Sequence, residues 1–261
     1  MLRSFISLIK LSIFLTATTL LIPIQALWLL VFSKTPYYYI PLQYHEKLTC
    51  FIFNIQIDIT GDISTDRQTI FVANHLSYAD IIALGSFMKA SFIAKADVRQ
   101  WPLFGILAKL SKTVFVERTR DAAPKAIASL KQAIEENLSL IIFPEGTSTK
   151  GIEVYPFKSS LFELFLNKKI KQNLIIQPVT LKLIGVNGHT IRTEADHDLY
   201  AWYGDMTLLP HLWALGKSKG AHLEIIFHPI RAAANYDNRK TFAADCHADV
   251  AKGLAIKQNE I

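Results

Sequence analysis

The sequence predicts an α/β fold: a mostly parallel central sheet covered by helices, with an N-terminal membrane-embedded helical segment. Three observations carry the prediction. From residue 56 onward, short apolar runs of strand length alternate with runs of helical period. The first 55 residues are strongly apolar and carry few charges. Of the 261 residues, 51% are hydrophobic and only 19% charged, which excludes a disordered chain and supplies a sizeable core.

Residues 11–33, LSIFLTATTLLIPIQALWLLVFS, contain no charge. As a helix they are long enough to cross about 30 Å of hydrocarbon. A cleaved signal would have a shorter apolar core, roughly 7–15 residues, and a small-x-small site after it. A core helix of a soluble protein would carry a polar stripe, and none is evident here. Residues 36–55 are again apolar, and Tyr37, Tyr38 and Tyr39 suit a membrane interface, where a ring needs one wet and one dry end. Two arrangements fit: one spanning helix, or a hairpin bent at Pro23 or Pro36 and buried in one leaflet. Arg3 and Lys10 on one flank balance Lys34 and Lys47 on the other. Equal flanks favour a hairpin with both ends on one face. The expected division is a membrane anchor over 1–55 and one catalytic domain over 56–261.

Within that domain, strands are expected at 56–60 (QIDIT), 69–73 (TIFVA), 92–94, 113–116, 138–143 (LSLIIF), 174–183 and 222–227. Gly61-Asp62 marks a turn. Helices are expected at 79–89, 102–110, 124–137, 159–167 and 243–255. Pro124 sits in a first helical turn, where its missing N–H costs nothing. Ile127, Leu130 and Ile134 recur at three and four residues, as one buried face requires. In sheets of this kind, sites lie in loops beyond the carboxyl ends of the strands.

The net charge is +6 and the mean hydropathy +0.24 with a pI near 9.2. A basic, apolar chain suits an anionic membrane surface, and the N-terminal segment selects that partner over nucleic acid. Eleven glycines and ten prolines exclude a collagen-like chain. Cys50 and Cys246 form neither a metal motif nor a disulfide framework, which fits a reducing compartment.

Four loops carry candidate chemistry. After strand 69–73 comes Asn74-His75-Leu76-Ser77-Tyr78-Ala79-Asp80. His75 and Asp80 are five apart, about 140° around a helix, so they meet only if His75 lies in the turn before it. Ser77 is a suitable N-cap, which leaves His75 free to fold back. A carboxylate on Nδ1 would fix the tautomer and leave Nε2 to take a proton from a hydroxyl. The alternative is a capping box between Ser77 and Asp80 with no chemistry. Strand 113–116 ends in Glu117-Arg118, and an Arg fork binds phosphate bidentately. Strand 138–143 ends in Pro144-Glu145-Gly146-Thr147-Ser148. Gly146 permits close backbone approach to a ligand, Glu145 could bind hydroxyls, and Thr147 offers a donor. Lys158 follows at a helix start, a place favourable to anions. The fourth is the strand interrupted by Pro at Ile176-Gln177-Pro178-Val179-Thr180.

In order and spacing these loops resemble the glycerolipid acyltransferase family, the lysophosphatidate (1-acylglycerol-3-phosphate) acyltransferases. Asn74, His75 and Asp80 match its first motif, Phe115 to Arg118 its second, Phe143 to Thr147 its third, and Ile175 to Val179 its fourth. The resemblance covers about residues 71–180. It implies His75 and Asp80 as the catalytic pair, and Asn74, Arg118, Glu145, Gly146, Thr147 and Lys158 as substrate-binding residues. It also implies direct acyl transfer from acyl-CoA or acyl carrier protein to a membrane lipid acceptor, with no metal, no other cofactor and no acyl-enzyme. The expected product is phosphatidic acid, made at the sn-2 hydroxyl. The expected place is the inner (cytoplasmic) membrane, with the site facing the cytoplasm.

One departure opens a second acceptor. Many members continue the third motif with Arg, where this chain has Ser148. Residues 155–162 and 202–211 resemble a bacterial branch that includes enzymes acylating lyso-ornithine lipid, an acceptor without phosphate. An inactive lipid-binding protein would have lost the His/Asp pair, and both residues are present. A hydrolase would need a nucleophile elbow. Gly216-Lys217-Ser218-Lys219-Gly220 fits its letters but follows no apolar strand, and reads as a basic loop. Asp196-His197-Asp198 reads as a polar loop rather than a metal site.

Overall fold

The computed structural model describes residues 1–255 except 36, 66–67, 102, 118–122 and 169. The expected bend at Pro36, the helix start at Pro102 and the side chain of Ile127 lie outside the described residues.

Two helices open the chain, α1 (Leu2–Phe32) and α2 (Ile40–Phe53). Helix α1 runs on through Pro23, the other expected bend, and the chain turns back between the two helices. They pair as an antiparallel hairpin: Phe14 packs on Phe53, Thr18 Oγ1 meets His45 Nε2 at 2.9 Å, and Gln25 Nε2 donates to Tyr38 O at 2.9 Å. The polarity of α1 is inverted. Its buried residues are Ser7, Phe14, Thr18, Leu21 and Gln25, while Phe5, Leu8, Ile13, Leu20, Leu27 and Leu30 are exposed. A polar stripe therefore exists, contrary to the expectation, and it faces the protein. Water would reverse this arrangement; hydrocarbon favours it.

The rest alternates in the order β1 (Ile55–Thr60), β2 (Thr69–Ala73), α3 (Ala79–Gly85), β3 (Ala90–Lys95), α4 (Phe104–Leu110), β4 (Val114–Val116), α5 (Ala123–Glu135), β5 (Ser139–Ile142), α6 (Ser159–Phe165) and β6 (Ile175–Val186). After β6 come β7 (His189–Thr190), α7 (Glu194–His197), α8 (Leu208–Lys217), β8 (Ala221–Phe227), β9 (Arg231–Ala232) and α9 (Arg239–Ala255). The sheet order is β1-β8-β6-β2-β5-β3-β4, with β7 and β9 on β6. Every pair on the main path is parallel except β6–β8. The mostly parallel sheet is thus as expected.

Both faces of the sheet are covered, which is why its strands read as continuous apolar runs. Ile70, Val72, Leu140 and Ile142 face α5, α6 and α9 through Leu130, Phe162 and Phe242. Phe71, Ala73 and Ile141 face the other side, where Phe14, Phe53, Leu84 and Leu215 come from α1, α2, α3 and α8. The hairpin is therefore part of the core. Helix α3 is shorter than the expected 79–89, and α8 was not among the expected helices, only its last two residues falling in the expected basic loop. The Gly216 to Gly220 stretch ends α8 and enters β8, and no nucleophile elbow forms.

Candidate active site

Strands β2, β5, β3 and β4 run parallel, so their carboxyl ends share one edge of the sheet. His75 follows β2 and Asp80 lies in the first turn of α3. His75 is outside the helix, as the angular argument requires, and its Nδ1 sits 2.8 Å from Asp80 Oδ2. The same Oδ2 accepts the backbone N–H of Leu76 at 2.7 Å and of Ser77 at 2.9 Å. Asp80 is fully buried. A buried carboxylate ringed by donors is held as an acceptor, so Nδ1 carries the proton and Nε2 is the ring nitrogen left with a lone pair. Asp80 also holds the Ser77 N–H just ahead of the helix, so the turn into α3 and the dyad geometry are one arrangement here. The N-cap itself falls at Tyr78, one residue later than expected.

The loop after β5 forms the second wall. Phe143 stacks on the His75 imidazole, with centroids 4.1 Å apart and planes 13° from parallel. Glu145 is buried; its Oε1 accepts the His75 N–H at 2.7 Å and its Oε2 the Tyr155 N–H at 2.9 Å. Burial pushes its carboxyl up to about 7, against the lowering effect of those two N–H groups. Gly146 has φ +77°, a conformation that a side chain would strain. The Thr149 N–H donates to His75 O at 2.8 Å, so this loop grips His75 from two sides.

Two expected binding residues have other work. Both ends of the Asn74 amide are taken by one residue: its Nδ2 donates to Leu181 O at 2.8 Å and its Oδ1 accepts Leu181 N–H at 2.7 Å. The amide imitates a peptide and extends the β2–β6 ladder by one step. Asn74 is buried, so it braces the site rather than lining it. Glu145 likewise accepts a backbone N–H on each oxygen, so in this structure it braces the two loops. Thr147 is exposed, with only a 3.4 Å bond to Ser148 O. Lys158 is exposed at the start of the short helix α6, and its N–H is tied to Pro144 O at 2.9 Å. Arg118 lies outside the described residues.

Sequence reasoning gave the segment after β7 no place in the site. The Trp202 N–H donates to Leu76 O at 2.9 Å, and Ser148 Oγ donates to Trp202 O, so this strap ties the two site loops together. The Tyr200 hydroxyl donates to Asp80 Oδ1 at 3.0 Å. Nothing local in the sequence around Tyr200 marks it, because its partner is 120 positions away. The Asp196-His197-Asp198 stretch, expected as a polar loop, instead closes the short helix α7, which is capped by Thr193 and Asp196. Beside it, Lys150 pairs with Glu194 at 3.5 Å and Asp198 at 3.7 Å.

Comparison with known proteins bears on the family and the fold. A family model described as Acyltransferase matches residues 54–182, which contain all four loops. A lyso-ornithine lipid O-acyltransferase of Rhodobacter capsulatus is 35% identical over 70% of this chain, a match spanning 64% of that protein. One from Rhizobium meliloti is 29% identical over 84% of this chain and 76% of its own length. A 1-acyl-sn-glycerol-3-phosphate acyltransferase of Neisseria gonorrhoeae is 27% identical over 64% of this chain and 62% of its own. The crystal structure of the 1-acyl-sn-glycerophosphate acyltransferase PlsC from Thermotoga maritima shares the fold. Its TM-score is 0.70 at 20% identity, covering 97% of this chain and 96% of that one. Residues 54–182 are therefore an acyltransferase-family domain, in a chain similar to lyso-ornithine lipid and 1-acylglycerol-3-phosphate acyltransferases.

Proposed function

We propose that the protein transfers a fatty acyl group from a thioester, acyl-CoA or acyl carrier protein, to the hydroxyl of lyso-ornithine lipid. The observation that carries the chemistry is the 2.8 Å contact between His75 Nδ1 and buried Asp80. Nε2 removes the acceptor hydroxyl proton as the oxygen attacks the thioester carbonyl. The tetrahedral intermediate collapses, the C–S bond breaks, and the imidazolium returns the proton to the thiolate. Asp80 stabilises the imidazolium throughout. A base of this kind accounts for roughly 10²–10⁴ in rate, and positioning of the two substrates supplies the rest.

Two features support an acceptor without phosphate. Ser148 replaces the Arg that many family members carry, and its hydroxyl is committed to Trp202 O. The next cation along, Lys150, is compensated by Glu194 and Asp198. The names of the Rhodobacter and Rhizobium relatives point the same way. Lysophosphatidate is the second reading, favoured by the Neisseria relative and by Arg118 at the second-motif position.

The hairpin supports a place in one leaflet. Helix α1 is about 46 Å long at 1.5 Å per residue. It touches the catalytic domain towards both ends: Ser7 Oγ donates to Trp213 O at 3.0 Å, Lys10 Nζ to Ser218 O at 3.1 Å, and Gln25 Nε2 to Leu110 O at 3.3 Å. A helix crossing the bilayer would carry one of its ends away from a domain in water on the other side. The elements packed on the hairpin also expose apolar side chains, Ile81 on α3, Ile106 on α4 and Leu209 on α8. The proposed location is the cytoplasmic face of the inner membrane, where either thioester donor is made.

The test is an acylation assay on the purified full chain in lipid vesicles, with lyso-ornithine lipid and lysophosphatidate as competing acceptors and both donors in turn. Preference for lyso-ornithine lipid in kcat/KM supports the proposal. Preference for lysophosphatidate selects the second reading.

A further inference from the structure

The strap that carries Tyr200 contributes no residue to the expected motifs, yet it ends in a hydroxyl placed on the catalytic carboxylate. Tyr200 and Asp80 are both fully buried. Asp80 Oδ2 receives three donors, His75 Nδ1 and the N–H groups of Leu76 and Ser77. Asp80 Oδ1 receives one, the Tyr200 hydroxyl at 3.0 Å. Without that hydroxyl, no donor among the described residues would hold Oδ1, and a buried carboxylate oxygen would be left without a partner. Burial and the neighbouring Asp80 charge hold the Tyr200 hydroxyl well above the usual tyrosine range, so it stays a donor throughout the working pH range.

We propose that Tyr200 is a positioning residue for acyl transfer, which fixes the rotation of the Asp80 carboxylate and sets the basicity of His75 through it. The inference rests on His75 acting as the general base. A carboxylate that shares its charge with a hydroxyl donor pulls less strongly on the imidazolium. Tyr200 thereby weakens the pull of Asp80 on the imidazolium, which favours a ring ready to accept a proton. The strap also fixes where the hydroxyl stands. Trp202 N–H is bonded to Leu76 O inside the His75 to Asp80 loop, so hydroxyl and carboxylate move together.

Other titratable groups face the pair. Glu145 approaches from the loop after β5, through the His75 backbone rather than its ring. Tyr78 stands at the start of α3 with its hydroxyl 3.0 Å from His211 Nδ1 on α8, and Cys50 faces α3 from α2. Tyr200 has no bond to Glu145, so an acid limb produced by Glu145 would stay in place when the Tyr200 hydroxyl is removed.

The test is the pH profile of kcat/KM for the full chain in vesicles, comparing wild type, Tyr200→Phe, Tyr78→Phe and His75→Ala. Circular dichroism melting of each variant monitors folding. Tyr200→Phe removes one oxygen and keeps the ring. Its acid limb should move up by about half a pH unit, a part of the one to two units that a bond to a charged group is worth. Its kcat should fall about tenfold with little change in KM. Tyr78→Phe, the same deletion from a half-buried tyrosine with no hydrogen bond to Asp80, should leave the limb where it is. A Tyr200→Phe profile that superposes on wild type after scaling, or a shift of equal size in Tyr78→Phe, overturns the proposal and leaves the His75 assignment standing. An active His75→Ala enzyme overturns the base assignment itself.

Discussion

Glu145 Oε1 accepts the backbone N–H of His75 at 2.7 Å, so the loop that ends β5 holds the residue that ends β2. The two strands are neighbours in the sheet, paired in parallel through Ile70–Leu140 and the two residues that follow each. A parallel pair releases both chains at the same edge. That is why motifs about 65 residues apart in sequence meet at one point.

Replacing His75 by Ala should remove the base and little else, since its side chain is partly exposed and its structural bonds run through the backbone. Acyl transfer should fall by about 10²–10⁴. Melting temperature and vesicle binding should stay near wild type. More than about a tenth of wild-type kcat would sink the assignment.

Asp80→Asn should be nearly as inactive and also less stable. An amide cannot accept from three donors at one end and a hydroxyl at the other with the strength of a carboxylate. A stability loss of about 1–3 kcal/mol is expected for the weakened buried bonds. Denaturant unfolding measures it. Wild-type stability in Asp80→Asn would mean that the carboxylate is not held as described.

The pair was legible because its geometry is local. Five residues with a helix start between them leave few ways for a His and an Asp to meet, and the structure uses the one argued from sequence. The sheet was legible for a related reason: strands covered on both faces are apolar throughout, as TIFVA and LSLIIF are. The bracing role of Asn74 was not legible because its partner, Leu181, arrives through β6, about a hundred residues later. Tyr200 was invisible for the same reason. Helix α8 was hidden by Pro210 within it and Gly216 near its end, both of which read as loop signals. The inward stripe of α1 was missed because Ser7, Thr18 and Gln25 are too sparse to interrupt an apolar run.

Glu145 gives the fold a pH dependence with a definite sign. Burial raises its carboxyl to about 7 in the folded chain, against about 4.5 unfolded. Its contribution to stability is therefore full below about pH 4.5 and is lost as pH rises through about 7, with a ceiling near 3 kcal/mol. Glu145→Gln should abolish this slope. The amide also turns its NH₂ toward one of two N–H donors, so stability should be lower at pH 5. Melting curves at pH 5 and pH 8 in the same micelles check both points. An undiminished slope in Glu145→Gln would assign the dependence to another group.

The inverted polarity of α1 separates two kinds of variant. Leu20→Lys with Leu27→Lys places charges on the exposed face, at a cost of up to about 3 kcal/mol each in hydrocarbon. The doubly substituted chain should stay folded and shift into the soluble fraction. Thr18→Val deletes the inward hydroxyl that meets His45 and should lower stability while the protein stays on vesicles. Flotation with lipid vesicles reads the first effect and melting the second. The reverse pattern would place the other face of α1 in lipid.

Arg118→Lys distinguishes the acceptors by sequence logic alone. It keeps the charge and loses the fork, so KM for lysophosphatidate should rise several-fold. KM for lyso-ornithine lipid, which presents no phosphate, should change little. Equal effects on both would make Arg118 structural rather than a reader of the headgroup.

Because α1 is packed into the core as well as exposed to lipid, the bilayer acts thermodynamically as a ligand of the native state. Whatever binds the folded form and not the unfolded one shifts the folding equilibrium toward it. Leaving the membrane would present Leu8, Leu20, Leu27 and Leu30 to water while Phe14 and Leu21 still hold the helix to the domain. Desorption and unfolding are therefore linked equilibria, and the quantity and fluidity of available lipid set how long an active molecule survives.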